Sequence, residues 1–363
     1  MARRRQGTEL PGSYIADAGS GTLYKRGRLL GEGAFGRCYE LTDVSSGRVY
    51  AAKIIPQARL AEPGNRQRVE REIELHGRLR HPHVLGFGGH FADRSNVYLV
   101  LEYCSRGSLA DILRARETLT EPEVRYYLRQ VVSGLRYLHA QGIVHRDLKP
   151  SNLFVTESMQ VKIGDLGLAR REVRSGRRWG AVCGTPGYLA PEVVDRKGHS
   201  VASDVWALGC VTYAALVGCS PFEGTSRQEL YQRIRAARFP LPGRLSPGAR
   251  ALVASLLAPE PAARPSLEDV LHHDFFAQGF TPATLPAHAC CSVPVCAGPN
   301  PLCKALQRAA AALIGGGRAR SPATAGRSPP GAQRGPGGTP SPHRKGFRES
   351  CAEGGTRQPR LPR

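Results

Sequence analysis

Apolar and polar positions alternate along this chain in two rhythms. Tyr24–Leu30, Arg37–Leu41 and Val49–Ile55 are short runs separated by glycine-containing turns, among them Ser45-Ser46-Gly47, and Val97–Leu101 is a fourth run. Runs of this length bounded by turn residues predict β-strands. Between them, Arg66–Leu79 sets Val69, Ile73, His76 and Arg80 along one stripe, the spacing of a helix. From about Ser108 the helical rhythm takes over. Thr120-Glu121-Pro122-Glu123 has the form of a capping box, with Thr120 at the N-cap, Pro122 in the first turn and Glu123 placed to reach back. The helix it opens carries Val124, Leu128, Val131, Leu135 and Leu138 on one face. The pattern predicts an α+β chain of two lobes. A small β-rich N-lobe covers about 24–101, a hinge 102–107, and a larger α-helical C-lobe 108–276.

Beyond Pro286 the pattern fails. Residues 287–363 are rich in Gly, Pro and Arg, with 12 Lys/Arg against 2 Asp/Glu and few aliphatics from Arg318 onward. Such a segment cannot bury enough apolar surface to offset its ordering entropy. Residues 287–363 are therefore expected to be a disordered basic tail, and residues 1–23 a flexible lead. The longest apolar stretches, near Ala214–Val217 and Ala309–Ile314, fall far short of a bilayer span, so no membrane partner is expected. Arg3–Arg5 are not followed by an apolar stretch, so no secretory leader is expected, and the chain is expected inside the cell, in nucleus and/or cytoplasm.

A formal net charge of +21 favours acidic partners, but no nucleic-acid-reading module accompanies it. Nucleic acid is thus not expected as the main partner, and a monomer is. The ten cysteines form no C-x-x-C pair. Cys290, Cys291, Cys296 and Cys303 cluster, yet lack a paired zinc spacing or an adjoining membrane helix, so the thiols read as free in a reducing compartment.

Chemistry concentrates in five motifs. Gly31-Glu32-Gly33-Ala34-Phe35-Gly36 lies between two predicted strands, whereas a dinucleotide-binding fingerprint must run from a strand into a helix. Glycines here let backbone N–H groups approach phosphate oxygens, with Phe35 able to fold over as a lid. Lys53 ends the third strand and Glu72 lies on the next helix, where the two can pair and aim an ammonium at phosphates. Each alone is better explained as a solvated surface charge. His145-Arg146-Asp147-Leu148-Lys149-Pro150-Ser151-Asn152 matches H-R-D-L-x-x-x-N, followed by Asp165-Leu166-Gly167 and Ala190-Pro191-Glu192. Phosphoryl transfer needs an acceptor-orienting carboxylate, metal ligands and cations on developing negative charge. Asp147 meets the first need, Asn152 and Asp165 the second, and Lys53 with Lys149 part of the third.

Over about Tyr24–Phe276 the chain resembles the eukaryotic protein kinases, and within them the polo-like serine/threonine group. The resemblance rests on Cys38, Ala51-Ala52-Lys53-Ile54-Ile55-Pro56, the segment Leu119–Leu128, and an exit segment beginning at Asp274-Phe275-Phe276 and continuing through 277–286. Details such as Leu148–Asn152 and Gly164-Asp165-Leu166-Gly167 look most like its divergent fifth branch. The resemblance implies a two-lobed protein-kinase fold that uses ATP and Mg2+ on protein substrates with acidic surroundings. It implies ATP contacts at Leu30, Gly31, Glu32, Gly33, Ala34, Phe35, Gly36, Arg37, Cys38, Lys53 and Glu72. Leu101 stands as gatekeeper, Glu102 and Cys104 at the hinge, and Phe154 as the adenine floor. Asp147 and Lys149 are the implied catalytic residues, and Asn152 and Asp165 the implied metal ligands. Asp204 would tie down the catalytic loop, and Glu192 would pair with Arg264.

Three departures qualify the resemblance. Leu166 replaces the usual phenylalanine. Ala181 stands where the family carries its activating threonine, so the phosphate that Arg146 would grip has no acceptor there, and Ser175 is the only hydroxyl residue between Asp165 and Cys183. The residues after Pro286 are too few and too polar for polo boxes, so no phosphopeptide targeting of that kind is expected. Two functions compete: an active serine/threonine kinase, and a pseudokinase that binds nucleotide and regulates partners without turnover.

Overall fold

Six antiparallel strands build the N-lobe sheet in the order β1-β2-β3-β4-β6-β5: β1 Tyr14–Ala16, β2 Leu23–Glu32, β3 Arg37–Asp43, β4 Val49–Pro56, β5 Phe87–Ala92 and β6 Asn96–Glu102. This computed structural model describes residues 14–33, 36–171 and 182–293. The expectations placed on Ala34, Phe35, Ser175 and Ala181, and on everything past Val293, lie outside the described residues. Two of the strands carry no alternation long enough to read. β1 is three residues long and pairs Tyr14–Ala16 with Leu23–Lys25, so the flexible lead expected over 1–23 is corrected: from Tyr14 the chain is part of the sheet. β5 reads Phe-Gly-Gly-His-Phe-Ala, and its two glycines accommodate a register shift against β6, with Gly89 at φ 142°.

The two faces of this sheet do different work. Ala52 and Ile54 pack with Leu41, Phe91, Tyr98 and Val100 on the outer face, where Tyr24, Phe91 and Tyr98 stack in sequence. Ile55 and Leu99 point the other way, onto two helices, α1 Gln57–Leu60 and α2 Asn65–Gly77. In α2 the buried positions are Val69, Glu72, Leu75 and His76. The stripe expected through Arg80 is corrected, since the helix ends at Gly77 and Arg80 is exposed. A buried glutamate on the apolar face is the exception that marks the site.

The C-lobe comprises α3 Leu109–Arg116, α4 Glu121–Ala140, α5 Pro191–Val194, α6 Val201–Val217, α7 Arg227–Arg235, α8 Pro247–Leu256, α9 Leu267–His272 and α10 Asp274–Ala277. Short strands β7 Ile143–Val144, β8 Leu153–Val155, β9 Val161–Ile163 and β10 Arg170–Arg171 lie between α4 and α5. The capping box at Thr120 and Glu123 forms as read, and Val124, Leu128, Val131, Leu135 and Leu138 are all buried. Beneath them α6 is buried along nearly its whole length, with Trp206, Cys210 and Tyr213 fully enclosed. Among the described residues no helix is long and apolar enough to cross a membrane.

The exit segment is strapped to α4. Arg125 lies over the Phe275 ring at 4.5 Å and donates to the carbonyls of Phe275 and Phe280. A Cβ at Gly279 would collide with the Arg125 guanidinium, so any other residue there would displace Arg125 from its seat. Arg116 forms a buried ion pair with Glu123 and donates to Ala289 O at 2.8 Å. Leu285 and Ala289 are buried. The tail boundary expected after Pro286 is therefore corrected: residues 287–290 form a 3-10 turn that belongs to the domain. Truncation after Pro286 strips Arg116 of one acceptor and should cost ~1–3 kcal/mol, a fall of roughly 3–10 °C in melting temperature, whereas truncation after Val293 should leave it unchanged. Equal midpoints for the two truncations would show that the turn adds nothing.

Candidate active site

The hairpin between β2 and β3 closes with Gly33 N donating to Gly36 O at 2.9 Å. At Gly36 a Cβ would lie 2.3 Å from Ile54 O, so the close approach of β4 requires glycine there. Cys38 stands opposite Lys53, on the cleft side of the sheet, with Leu30 and Gly31 at the same end of the hairpin. Arg37 stands opposite Ile54, whose side chain belongs to the outer face, and it pairs with Glu32 at 2.8 Å. The Glu32 and Arg37 side chains thus lie on the outer face, which leaves their backbone for the nucleotide contact that the resemblance implies.

Lys53 Nζ sits 2.8 Å from Glu72 Oε1 and 3.4 Å from Asp165 Oδ1. Burial alone would lower the Lys53 pKa, but the two carboxylates outweigh it and raise it above the ordinary lysine value, so the ammonium is permanent. Partial desolvation by the surrounding cleft opposes ionisation of Asp165, whose side chain still reaches solvent, yet Lys53 and His145 lower its pKa, and it remains a carboxylate. Asp165 adopts φ 56° and Arg146 φ 68°, left-handed conformations that are costly for side-chain-bearing residues and concentrate at functional sites. Gly167 lies where these groups meet. A Cβ there would be 3.1 Å from Glu72 Oε2, 3.3 Å from Asp165 Oδ1 and 3.6 Å from Lys53 Nζ.

On the C-lobe side, Asp204 is buried and accepts the backbone N–H groups of His145 (2.9 Å) and Arg146 (3.0 Å), with His139 Nε2 2.9 Å away. Burial opposes its charge, but these hydrogen bonds, His139 foremost, lower its pKa. The loop so fixed presents Asp147, whose Oδ1 accepts from Thr185 N (2.8 Å) and Thr185 Oγ1 (2.7 Å). Lys149 Nζ lies 2.9 Å from Asp147 Oδ2 and donates to Thr185 Oγ1. Asn152 Nδ2 donates to Asp147 O at 2.8 Å, so its carboxamide oxygen is the end left for a metal. Leu101 pairs with Ala51 across the sheet and Glu102 holds Lys162 at 2.8 Å, with Cys104 following in the hinge. Phe154 is half-buried against Gly164, where a Cβ would strike its ring at 2.7 Å. Sequence reasoning gave His139 and Gly167 no role and assigned Thr185 no contact with Asp147. For Gly167 the D-L-G triplet was the available signal, and for His139 there was none.

The residues fit a cation that arrives with phosphates. One carboxylate and one carboxamide oxygen are hard donors suited to a divalent cation that keeps waters and takes its other ligands from phosphates. Among the described residues no group of three or more His, Cys, Asp or Glu could hold a metal by itself.

Two lobes, a glycine hairpin over a Lys–Glu pair, and an aspartate loop tied to α6 define a protein kinase. Residues 24–276 match the protein kinase domain, and the chain belongs to that family. Family membership implies ATP and a divalent cation. Within the family the chain falls in the polo-like group. It is 55% identical over 313 residues to the Mus musculus protein named inactive serine/threonine-protein kinase PLK5 (86% of this chain, 53% of that protein). Over 302 residues it is 52% identical to Mus musculus serine/threonine-protein kinase PLK2 (83% and 44%). Over 286 residues it is 44% identical to Xenopus laevis serine/threonine-protein kinase PLK1 (79% and 48%). The chain spans about half the length of these relatives.

A pH response follows from His199, which is buried with Nε2 3.5 Å from Cys183 Sγ and Nδ1 3.5 Å from Ser203 Oγ. Burial, aided by Arg146, pushes its pKa from 6.5 down to about 4. Between those values the unfolded chain takes up a proton that the folded chain refuses. Its contribution is thus complete above pH 6.5 and falls on acidification, by about 2 kcal/mol at pH 5. Melting temperatures of wild type and His199→Gln should converge between pH 7.5 and 5; parallel curves would exclude His199 as the cause.

Proposed function

We propose that this chain is a serine/threonine protein kinase of the polo-like group, transferring the γ-phosphoryl of Mg-ATP to protein Ser/Thr hydroxyls. The reading is carried by the complete polar set in one cleft: Lys53, Glu72 and Asp165 on one side, and Asp147, Lys149 and Asn152 on the other. Mg-ATP, when bound, supplies the phosphoryl group and the metal charge that neutralises it. Lys53 serves as a fixed cation for the phosphates, and Asn152 and Asp165 would hold the metal. Asp147 accepts a hydrogen bond from the incoming hydroxyl and orients its oxygen. Lys149 keeps positive charge beside that oxygen as negative charge moves outward.

The substrates we propose carry acidic residues around the acceptor, which the +21 charge of the chain supports. We place the protein in nucleus and/or cytoplasm, as a monomer in cell-cycle or stress signalling; the free thiols at Cys38, Cys104, Cys183 and Cys210 suit a reducing compartment. A second reading, a nucleotide-binding module without turnover, is favoured by the name of the mouse relative and by Ala181. Transfer of labelled phosphate from Mg-ATP to an acidic Ser/Thr protein, absent in Asp147→Asn, supports the first reading. Nucleotide binding without transfer supports the second.

A further inference from the structure

The N-terminal end of α2 does little to hold it. Its N-cap is Gly64 at φ 81°, no side chain caps the first turn, and no acidic residue lies there. Arg66 and Arg68 instead bring positive charge to the positive end of the helix dipole, which disfavours that turn. A tertiary contact holds it: Arg68 Nε donates to Gly167 O at 2.9 Å. Positions 68 and 72 are one turn apart on the same face, so the turn pinned by Arg68 leads directly to Glu72 and its bond to Lys53. Gly167 joins the pieces, since its carbonyl takes Arg68 while its α-carbon packs against Glu72 and Asp165. From the C-lobe, Arg146 Nε donates to the next carbonyl, Leu168 O, at 2.7 Å. Two guanidinium groups, one from each lobe, thus clip consecutive carbonyls just after the metal-binding aspartate.

We propose that Arg68 is a positioning residue that locks α2 to the Asp165-Leu166-Gly167 segment, so that backbone contacts and not a loop phosphate set the Lys53–Glu72–Asp165 geometry. The proposal rests on the kinase reading and identifies how that site is regulated. With alanine at 181, the hydroxyl that would carry a phosphate to Arg146 is missing. The bond from Arg146 to Leu168 O, adjacent to the one from Arg68 to Gly167 O, links the catalytic loop to α2 without it.

The test uses the full chain, with and without phosphatase treatment, as wild type, Arg68→Ala, Arg68→Lys and Arg66→Ala. Arg68→Ala should lower kcat roughly 10-fold or more while Mg-ATP affinity moves less than about 3-fold, because it displaces reacting groups without removing them. Amide exchange across 166–171 should speed up in the same variant. Arg68→Lys should recover part of both effects, and Arg66→Ala, exposed on the same turn, should change neither. Phosphatase should leave wild-type kcat unaltered. The proposal is overturned by wild-type kcat and exchange in Arg68→Ala, by equal effects in Arg66→Ala, or by phosphatase-sensitive wild-type activity. If wild type transfers no phosphate, the kinase reading fails, and the exchange contrast between Arg68→Ala and Arg68→Lys still decides the role of Arg68.

Discussion

Asp165→Asn and Lys53→Met each reduce phosphoryl transfer to background, a loss of at least roughly 10²–10³-fold, but they treat the fold differently. Asp165 is about half exposed, at 46%, so an amide in its place remains solvated and the domain should melt at the wild-type temperature. Lys53 shields Glu72, whose side chain is 5% exposed. Removing the ammonium leaves a buried carboxylate without its cation, a loss of up to about 3–5 kcal/mol that protonation of Glu72 can soften. Lys53→Met should therefore melt lower, and Lys53→Met combined with Glu72→Gln should regain much of the difference while staying inactive. Labelled-phosphate transfer and calorimetry on the four proteins check both points. Wild-type transfer in either single variant would place the site elsewhere.

The largest effect on stability should come from Arg264→Ala. Arg264 and Glu192 are 1% and 5% exposed and make two bonds of 2.7 Å. The same guanidinium donates to the carbonyls of Ala202, Ala258 and Pro259 and lies 5.1 Å over the Trp206 ring. Truncation orphans a buried carboxylate and three carbonyls at once, which should cost about 3–5 kcal/mol, or roughly 6–20 °C for a domain of this size. Glu192→Leu with Arg264→Met should recover much of that loss, since apolar replacement of both partners removes the unpaired charge. A single variant within 2 °C of wild type, in the same calorimetric experiment, would show that the pair contributes only ~1 kcal/mol or less.

Much of this architecture was legible because it follows local rules. Thr120 and Glu123 announce the start of α4 through capping chemistry, and the apolar face of that helix follows from its 3.6-residue period. The candidate site groups were legible as motifs whose spacing suits phosphoryl-transfer chemistry, and the fold places Asn152 against Asp147 and Asp165 beside Lys53. What remained hidden depends on partners far away in sequence. Nothing near Glu72 on α2 says that it is buried, because the reason is Lys53 on β4. Ala289 looked like the start of a tail because its partner is Arg116, 173 residues earlier. The outward direction of the Glu32 and Arg37 side chains is likewise hidden, because only the pleat of the sheet tells which side of the hairpin each occupies. Gly88 and Gly89 concealed β5, since a strand held by its neighbours needs little propensity of its own.

Trp206 has a practical consequence. Its indole is fully enclosed, stacked on Phe222 at 5.3 Å and 7°, with the Arg264 guanidinium on it. The chain has two tryptophans, and the other, Trp179, lies between Asp165 and the Ala190-Pro191-Glu192 motif. The C-lobe interior and the segment after Asp165 thus each have an optical reporter. Emission from Trp206 follows water entering the C-lobe interior, while emission from Trp179 follows the segment leading to Thr185. With Trp179→Phe, the remaining fluorescence becomes a gauge of the Glu192–Arg264 pair, readable without any assay of activity.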